Sequence, residues 1–152
     1  NTSRLVDLPN CGLSYIIGND MQQAATTENV DAIGYGAEGC ETRTQQQHRL
    51  FVVNNTFINE AADGTLVRDH ARGNVLVANN LIFGSGYVLV GPPDSTGIDA
   101  ARALSDEEGV SLVPSREFKP PLGTAERPQY NTLDVGAHEA PASPRSGRDY
   151  GL

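Results

Sequence analysis

Five basic side chains that could transfer protons or bind anions lie in two short segments of this 152-residue chain. His48 and Arg49 are adjacent, whereas Arg68, His70 and Arg72 alternate along the second segment. A histidine can act as a general base, and a guanidinium beside it can stabilise the negative charge that proton removal creates. His48 and Arg72 each precede one asparagine of a repeated pattern by seven residues, so we expect them to meet on one face. In the alternative interpretation, all five are solvated turn residues balanced by nearby carboxylates.

Aromatic and acidic side chains form a second set of candidates. Tyr35 and Glu38 could together stack on a sugar ring and bind its hydroxyl groups, although a tyrosine buried in the core is the alternative. Asp20, Asp31 and Glu41 offer the oxygen ligands that Ca²⁺ takes in proteins, but their spacing matches no calcium-binding loop. We expect no cofactor, with calcium as the alternative, because the chain has no zinc, P-loop, dinucleotide-binding or nucleophile-elbow motif.

A repeated pattern must position these side chains. Three stretches align with one another, and we interpret each as the start of one coil in a solenoid of short strands. Asn19, Asn55 and Asn79 share one column of this alignment, at intervals of 36 and 24 residues. Asparagine tolerates the left-handed backbone of a sharp bend, and stacked amides can hydrogen-bond to one another. We therefore predict a structural asparagine ladder rather than a ligand site. Aliphatic columns lie two residues to either side, and they contain Ile17, Val53 and Val77, then Met21, Phe57 and Leu81.

The same pattern sets the predicted organisation of the chain. Residues 1–91 form about three coils, and a polar loop at about 38–47 accounts for the longer first interval. Proline-rich residues 92–139 form a capping segment that lies back along the coils and covers their C-terminal end, with a short helix over 99–108. Residues 140–152 are predicted to be a flexible tail.

Cys11 and Cys40 are the only two cysteines in the chain. A disulfide between them would tie the long loop to the first coil if the protein is exported. Two separate thiols are the alternative. We expect no metal site, because neither cysteine has a second cysteine or a histidine at ligand spacing.

Charge and hydropathy exclude some partners. The net charge of −8 and the pI near 4.7 argue against nucleic acid or an anionic membrane. No stretch is apolar enough to span a membrane. The chain does not start with methionine and has no candidate N-terminal cap, so we expect it to be the C-terminal part of a longer protein.

Several motifs carry a resemblance to a known family. The stretches VVNNTFIN and VLVANNLIFG resemble the repeat of right-handed parallel β-helix proteins of the pectate-lyase-like superfamily. The passage SYIIGNDMQQ…TEN…IGYGAEG is similar to one in bacterial members of that group. The segment LVPSREFKPP…RPQYNTLDVGAHE resembles their C-terminal tail, and the likeness runs from about Leu5 to Glu139.

The resemblance implies an all-β, right-handed parallel β-helix of about three coils plus a C-terminal capping segment. It implies the C-terminal part of a secreted, carbohydrate-active protein that acts on polysaccharide as a uronan lyase, located outside the cell, in the periplasm or at the cell surface. The alternative is a non-catalytic module for glycan binding or for cell-surface or fibrous assembly. In either case the open coil end would pair with missing N-terminal coils, another chain or a second copy. The catalytic candidates are His48, Arg68, His70 and Arg72, and the substrate-binding candidates are Arg49, Tyr35 and Glu38.

Overall fold

The computed structural model describes residues 4–40, 48–91, 104–119 and 123–126. Its regular elements within these ranges are twelve β-strands and no helix, which confirms the all-β prediction for the described residues. The strands are β1 Val6–Leu8, β2 Leu13–Ile17, β3 Asp20–Gln23, β4 Asp31–Tyr35, β5 Arg49–Val53 and β6 Thr56–Asn59. They continue with β7 Thr65–Asp69, β8 Asn74–Ala78, β9 Leu81–Gly84, β10 Tyr87–Val90, β11 Arg116–Lys119 and β12 Gly123–Glu126.

The first ten strands form three parallel sheets. The first sheet has the order β1-β4-β7-β10, the second β2-β5-β8 and the third β3-β6-β9, while β11 and β12 form a separate antiparallel pair. The chain thus visits the three sheets in turn, and β2–β4, β5–β7 and β8–β10 form the first, second and third repeat units. This arrangement of parallel sheets is compatible with a β-helix or another solenoid.

Equivalent apolar side chains lie above one another along each sheet. In the third sheet Met21 pairs with Phe57, which pairs with Ile82. In the second sheet Ile16, Val52 and Val77 share a position, and in the first sheet Ile33, Val67 and Leu89 do. The members from the first two units are less than 9% exposed, and together these stacks form the main core. Each neighbour in a stack removes apolar surface from water, and this burial stabilises the fold by roughly 25 cal/mol per Å².

The bend between the second and third sheets contains an asparagine ladder, but its third member differs from the predicted one. The Asn55 Oδ1 accepts hydrogen bonds from the Asn19 backbone N–H and Nδ2, at 2.9 and 3.0 Å. The Asn80 Oδ1 accepts the equivalent two bonds from Asn55, both at 2.9 Å. Because Val53 pairs with Ala78, the third unit is shifted by one residue from the predicted alignment, and Asn80 replaces Asn79 in the ladder.

Asn79 belongs instead to the column that turns the backbone. Gly18, Asn54 and Asn79 occupy this column with φ angles of 68°, 54° and 56°. Only glycine, and less readily asparagine, adopts this left-handed conformation without a large penalty. The sequence predicted that one asparagine column both adopts the left-handed bend and forms the amide ladder. In the structure these two roles belong to neighbouring columns.

Residues 104–116, here called the strap, pack on the outer face of the second sheet. Leu112 is 1% exposed and belongs to a cluster with Phe51 and Val53. The Asn54 Nδ2 donates to the Leu112 carbonyl oxygen at 2.7 Å, so a bend residue also anchors the strap.

The strap differs from the prediction for this region in one respect. Residues 104–108, the described part of the predicted helix, are not helical. Glu107 and Val110 instead form an antiparallel bridge around Glu108 and Gly109, whose φ angles of 52° and 77° suit a tight two-residue turn. That residues 92–139 also cover the end of the coils stays a prediction, because much of that range, like 140–152, lies outside the described residues.

The ladder leads to a stability prediction. Replacing Asn55 with alanine removes a buried amide with partners on both sides, and we expect the free energy of unfolding to fall by about 2–3 kcal/mol. Asn19→Ala is the matched control, because Asn19 is exposed at one end of the ladder. Its free energy of unfolding should fall by less than about 1 kcal/mol. Urea unfolding followed by circular dichroism measures both values. Equal losses of unfolding free energy in the two variants would contradict the prediction that the central, buried amide contributes most to stability.

Candidate functional site

Cys11 and Cys40 form a disulfide at the corner where the chain passes from the first sheet to the second. Their Cα atoms are 5.5 Å apart, and the cysteines follow β1 and β4, which pair in the first sheet. Of the two alternatives that the sequence left open for these cysteines, the disulfide is thus present. His48 lies beside it, with a ring nitrogen within 4.8 Å of both sulfur atoms, and is only 4% exposed. We call Cys11, Cys40 and His48 the disulfide corner. Its burial keeps a large substrate away from His48, which was a predicted catalytic base.

Two glycines allow the backbone to pack tightly at the disulfide corner. Gly36 has a φ angle of 77°, and a Cβ atom there would lie 2.7 Å from the Cys11 sulfur and 3.1 Å from the Cys40 sulfur. A Cβ atom at Gly73 would lie 2.6 Å from the Tyr35 ring. Larger residues would therefore displace the sulfur atoms or the aromatic ring.

Tyr35 is part of the core and cannot stack on a ligand. Its side chain is fully buried, and its hydroxyl donates to the Gly12 carbonyl oxygen at 2.6 Å. Glu38 is exposed, and its backbone N–H donates to the Pro9 carbonyl oxygen at 3.0 Å. The predicted pair of Tyr35 and Glu38 is therefore split between interior and surface.

Arg49, a predicted substrate-binding residue, holds the strap. Its guanidinium lies 2.7 Å from a Glu107 carboxylate oxygen and 3.1 Å from one of Glu108. The same group lies 4.8 Å from the centre of the Phe51 ring, which stacks on Tyr15. These contacts engage the Arg49 charge within the protein, so its geometry favours a structural role.

Arg68, a predicted catalytic residue, takes part in a row of alternating charges on the first sheet. Its Nε lies 3.1 Å from an Asp31 carboxylate oxygen, and the other oxygen of Asp31 lies 4.0 Å from the Arg4 guanidinium. Arg4 also pairs with Asp7 at 3.2 Å. Asp31 is thus engaged by two guanidinium groups, which would compete with a calcium ion for its carboxylate.

The other calcium candidates do not complete a site within the described residues. Asp20 lies on β3 in the third sheet, whereas Asp31 lies on β4 in the first sheet. Glu41 lies outside the described residues. In the part of the chain that the structure describes, the one group of three close metal-ligating side chains is the disulfide corner.

His70 and Arg72 are the predicted catalytic residues that remain accessible. Both are exposed on the short turn between β7 and β8, where Arg72 adopts a φ angle of 55°. Arg49 pairs with Asn74, so Arg72 is one residue out of register with His48. The five basic candidates therefore do not form one patch.

A cavity that the sequence did not predict lies at the connection between β3 and β4, away from the disulfide corner. It has a volume of about 310 Å³ and lies between residues 24–30 and the segment that begins at Arg4. We call it the Arg4–Asp31 cleft. Its further lining is rich in amide, hydroxyl and carboxylate groups, contributed by Gln22, Gln23, Thr26, Thr27, Glu28 and Asn29. Hydrogen bonds order residues 24–30, among them one from the Thr27 hydroxyl to the Asn29 carbonyl at 3.0 Å.

Two lining residues of this cleft have an unused hydrogen-bonding atom. Arg4 Nε and Gln23 Oε1 are buried and have no partner among the described residues. Gln23 is 3% exposed, and its Nε2 donates to the Asn29 carbonyl oxygen at 2.8 Å. Because both atoms have almost no accessible surface, a ligand in the cleft would meet the exposed side chains of Gln22, Thr26 and Glu28 rather than these two atoms. The burial of Gln23 has one signal in the sequence, because Gln23 is two residues after Met21 and so shares its inward face.

Comparison with known proteins gives no family for this chain: no family model, no curated protein and no solved structure matches it. Within the described residues, no helix is long and apolar enough to cross a membrane, in agreement with the sequence.

Packing at the disulfide corner leads to a second prediction. Gly36→Ala should be destabilising for two reasons: strain at positive φ, roughly 1–2 kcal/mol, and overpacking against the sulfur atoms and Ala71, roughly 1–3 kcal/mol more. Gly109→Ala is the matched control, because Gly109 has the same φ angle of 77° but no atom within 4 Å of an added Cβ. Thermal unfolding measures the difference, and equal losses in the two variants would disprove tight packing at Gly36.

Proposed function

We propose that this chain is a right-handed parallel β-helix module that binds a neutral polysaccharide outside the cytoplasm. The observation that carries the proposal is the Arg4–Asp31 cleft, with its lining of amide, hydroxyl and carboxylate groups. A sugar hydroxyl both donates and accepts hydrogen bonds, so it suits the exposed side chains of Gln22, Thr26 and Glu28 at this cleft. The cleft volume of about 310 Å³ is near the lower limit of small-molecule sites, which run from roughly 300 to 1,000 Å³.

The β-helix part of the proposal is supported by the order of the strands. In each of the three parallel sheets, consecutive strands differ by three in chain order, so every unit returns to the same sheets. A connection between parallel strands of one sheet is almost always right-handed, which favours the right-handed form. The asparagine ladder and the aliphatic stacks support the same interpretation.

The charge around the cleft favours a neutral sugar. Among the described residues that line it, Arg4 is the one cationic side chain, and it pairs with Asp7 and lies near Asp31. Glu28 adds a further carboxylate to the lining, in a chain whose net charge is −8. A uronate carboxylate would meet more negative than positive charge at this position.

The disulfide supports a location outside the cytoplasm. Disulfides persist in secreted and periplasmic proteins and are rare in the reducing cytosol. The bridge between Cys11 and Cys40 therefore favours an extracellular, periplasmic or cell-surface protein.

Uronan lyase activity is the second candidate function. It is favoured by the exposure of His70 and Arg72 on one turn, since a base and a cation are what proton abstraction beside a carboxylate needs. Against it stand the burial of His48 and the engagement of Arg49 and Arg68 in ion pairs.

A blocking substitution tests the cleft. Thr26 is exposed and lines the cleft, so Thr26→Trp should fill the space without disturbing the core. We expect its affinity for a neutral polysaccharide to fall at least about tenfold, which corresponds to about 1.4 kcal/mol. Ala62→Trp is the matched control, because Ala62 is exposed at the equivalent bend of the second unit. Affinity electrophoresis against neutral glucans, xylans and galactans measures the effect, and wild-type affinity in Thr26→Trp would refute the assignment of the cleft.

A parallel assay separates the two candidate functions. Incubation with polygalacturonate or alginate should produce no new ultraviolet absorbance from unsaturated uronates. If absorbance does appear and His70→Ala with Arg72→Ala abolishes it, the lyase is the correct function and the neutral-glycan proposal fails.

A further inference from the structure

The disulfide corner brings together three side chains that are metal ligands in other proteins. One sulfur atom from each cysteine and a ring nitrogen of His48 all lie within 4.8 Å of one another. In a tetrahedral zinc site two sulfur ligands stand roughly 3.8 Å apart, and a sulfur and a nitrogen ligand roughly 3.5 Å apart, given Zn–S and Zn–N distances of about 2.3 and 2.0 Å. After reduction the sulfur atoms would separate by about 1.7 Å from their bonded distance, and the histidine nitrogen would approach them by about 1 Å.

The backbone holds these ligands in place independently of the sulfur–sulfur bond. Cys11 follows β1, and its N–H donates to the Leu8 carbonyl oxygen at 3.3 Å. The same carbonyl accepts from Gly36 N–H at 2.8 Å, and next to Cys40 the Gly39 N–H donates to the Gly36 carbonyl oxygen at 3.1 Å. His48 directly precedes β5, and its carbonyl oxygen accepts from Asn74 N–H at 2.8 Å. Reduction would thus leave two thiols and an imidazole positioned around one point.

We propose that the disulfide corner binds one zinc ion when the disulfide is reduced. A dithiol reductant supplies two electrons and two protons, so the sulfur–sulfur bond breaks, two thiols form and the reductant becomes a disulfide. Zinc then displaces one proton from each thiol and binds both thiolates and the neutral imidazole of His48. Water takes the fourth position, because three protein ligands leave a tetrahedral site open.

The chemistry of the ligands selects the metal. Thiolate and imidazole favour zinc over calcium or magnesium, which take oxygen ligands. No carboxylate belongs to this group among the described residues. The zinc form would cross-link the same two cysteine segments that the disulfide joins in an oxidising compartment, and it would add His48 of the second unit.

The inference is independent of the glycan proposal, since the Arg4–Asp31 cleft is lined by none of these three residues.

The full chain, reduced with a phosphine, is titrated with Co²⁺, whose spectrum reports thiolate ligands and tetrahedral geometry. We expect one Co²⁺ per chain with a sulfur-to-cobalt charge-transfer band, and full displacement of the ion by Zn²⁺. The oxidised protein should give no such band. Absence of the band in the reduced wild-type protein would overturn the proposal, whether or not that protein stays folded.

Variants test the identity of the ligands. His48→Gln keeps a polar side chain of similar size and should weaken zinc binding at least about tenfold, since even loss of a hydrogen-bonding partner to a metal ligand costs 10–100-fold. His70→Gln is the matched control, because His70 is exposed on the turn between β7 and β8 and lies outside the group of three. Cys11→Ser leaves one thiolate, so the charge-transfer band should lose at least about half of its intensity per bound Co²⁺. Unchanged zinc affinity in His48→Gln, or an unchanged spectrum in Cys11→Ser, would disprove the site as proposed.

Discussion

The hydrogen-bonding requirement of the bend between the second and third sheets governs the rest of the structure. The chain turns sharply there, so backbone groups leave the sheet ladders while remaining buried between stacked units. The side chain of Asn55 supplies the missing partners, since it accepts from the unit of Asn19 and donates toward that of Asn80. The neighbouring position supplies the left-handed backbone, and in the second unit its Asn54 side chain also anchors the strap. The register fixed at this bend aligns the apolar stacks and hence positions both the disulfide corner and the cleft.

Much of this fold could be predicted from the sequence, because the repeated strand pattern is local. The error in the third unit has a physical cause: Asn79 and Asn80 are identical neighbours, and only strand pairing decides which amide joins the ladder. The connections before the first-sheet strands also shorten along the chain, from residues 24–30 to 60–64 and then 85–86. Because these connections differ in length, the asparagine spacing alone could not predict that Asp31, Thr65 and Tyr87 are aligned in the first sheet.

The candidate site was less predictable, because it depends on contacts between residues far apart in the chain. Arg49 is indistinguishable from a surface arginine until Glu107, 58 residues away, is placed beside it. Strand pairing likewise brings His48 close to both cysteines. This proximity could not be predicted from the sequence, because His48 is far from Cys11 along the chain. Burial of Tyr35 had a clear local signal, because Tyr35 is two residues after Ile33 in the strand Asp31–Tyr35 and so shares its inward face. The basic residues thus mostly stabilise the protein, and the polar cleft becomes the better candidate for binding.

Nuclear magnetic resonance mapping of bound oligosaccharide tests the glycan-binding cleft most directly. The side-chain amide of Gln22 and the methyl group of Thr26 report two exposed residues of the cleft lining. With a neutral oligosaccharide, both signals should shift in a saturable way while those of His70 and Arg72 stay unchanged. Shifts confined to His70 and Arg72, or produced by a uronate oligosaccharide instead, would contradict the account.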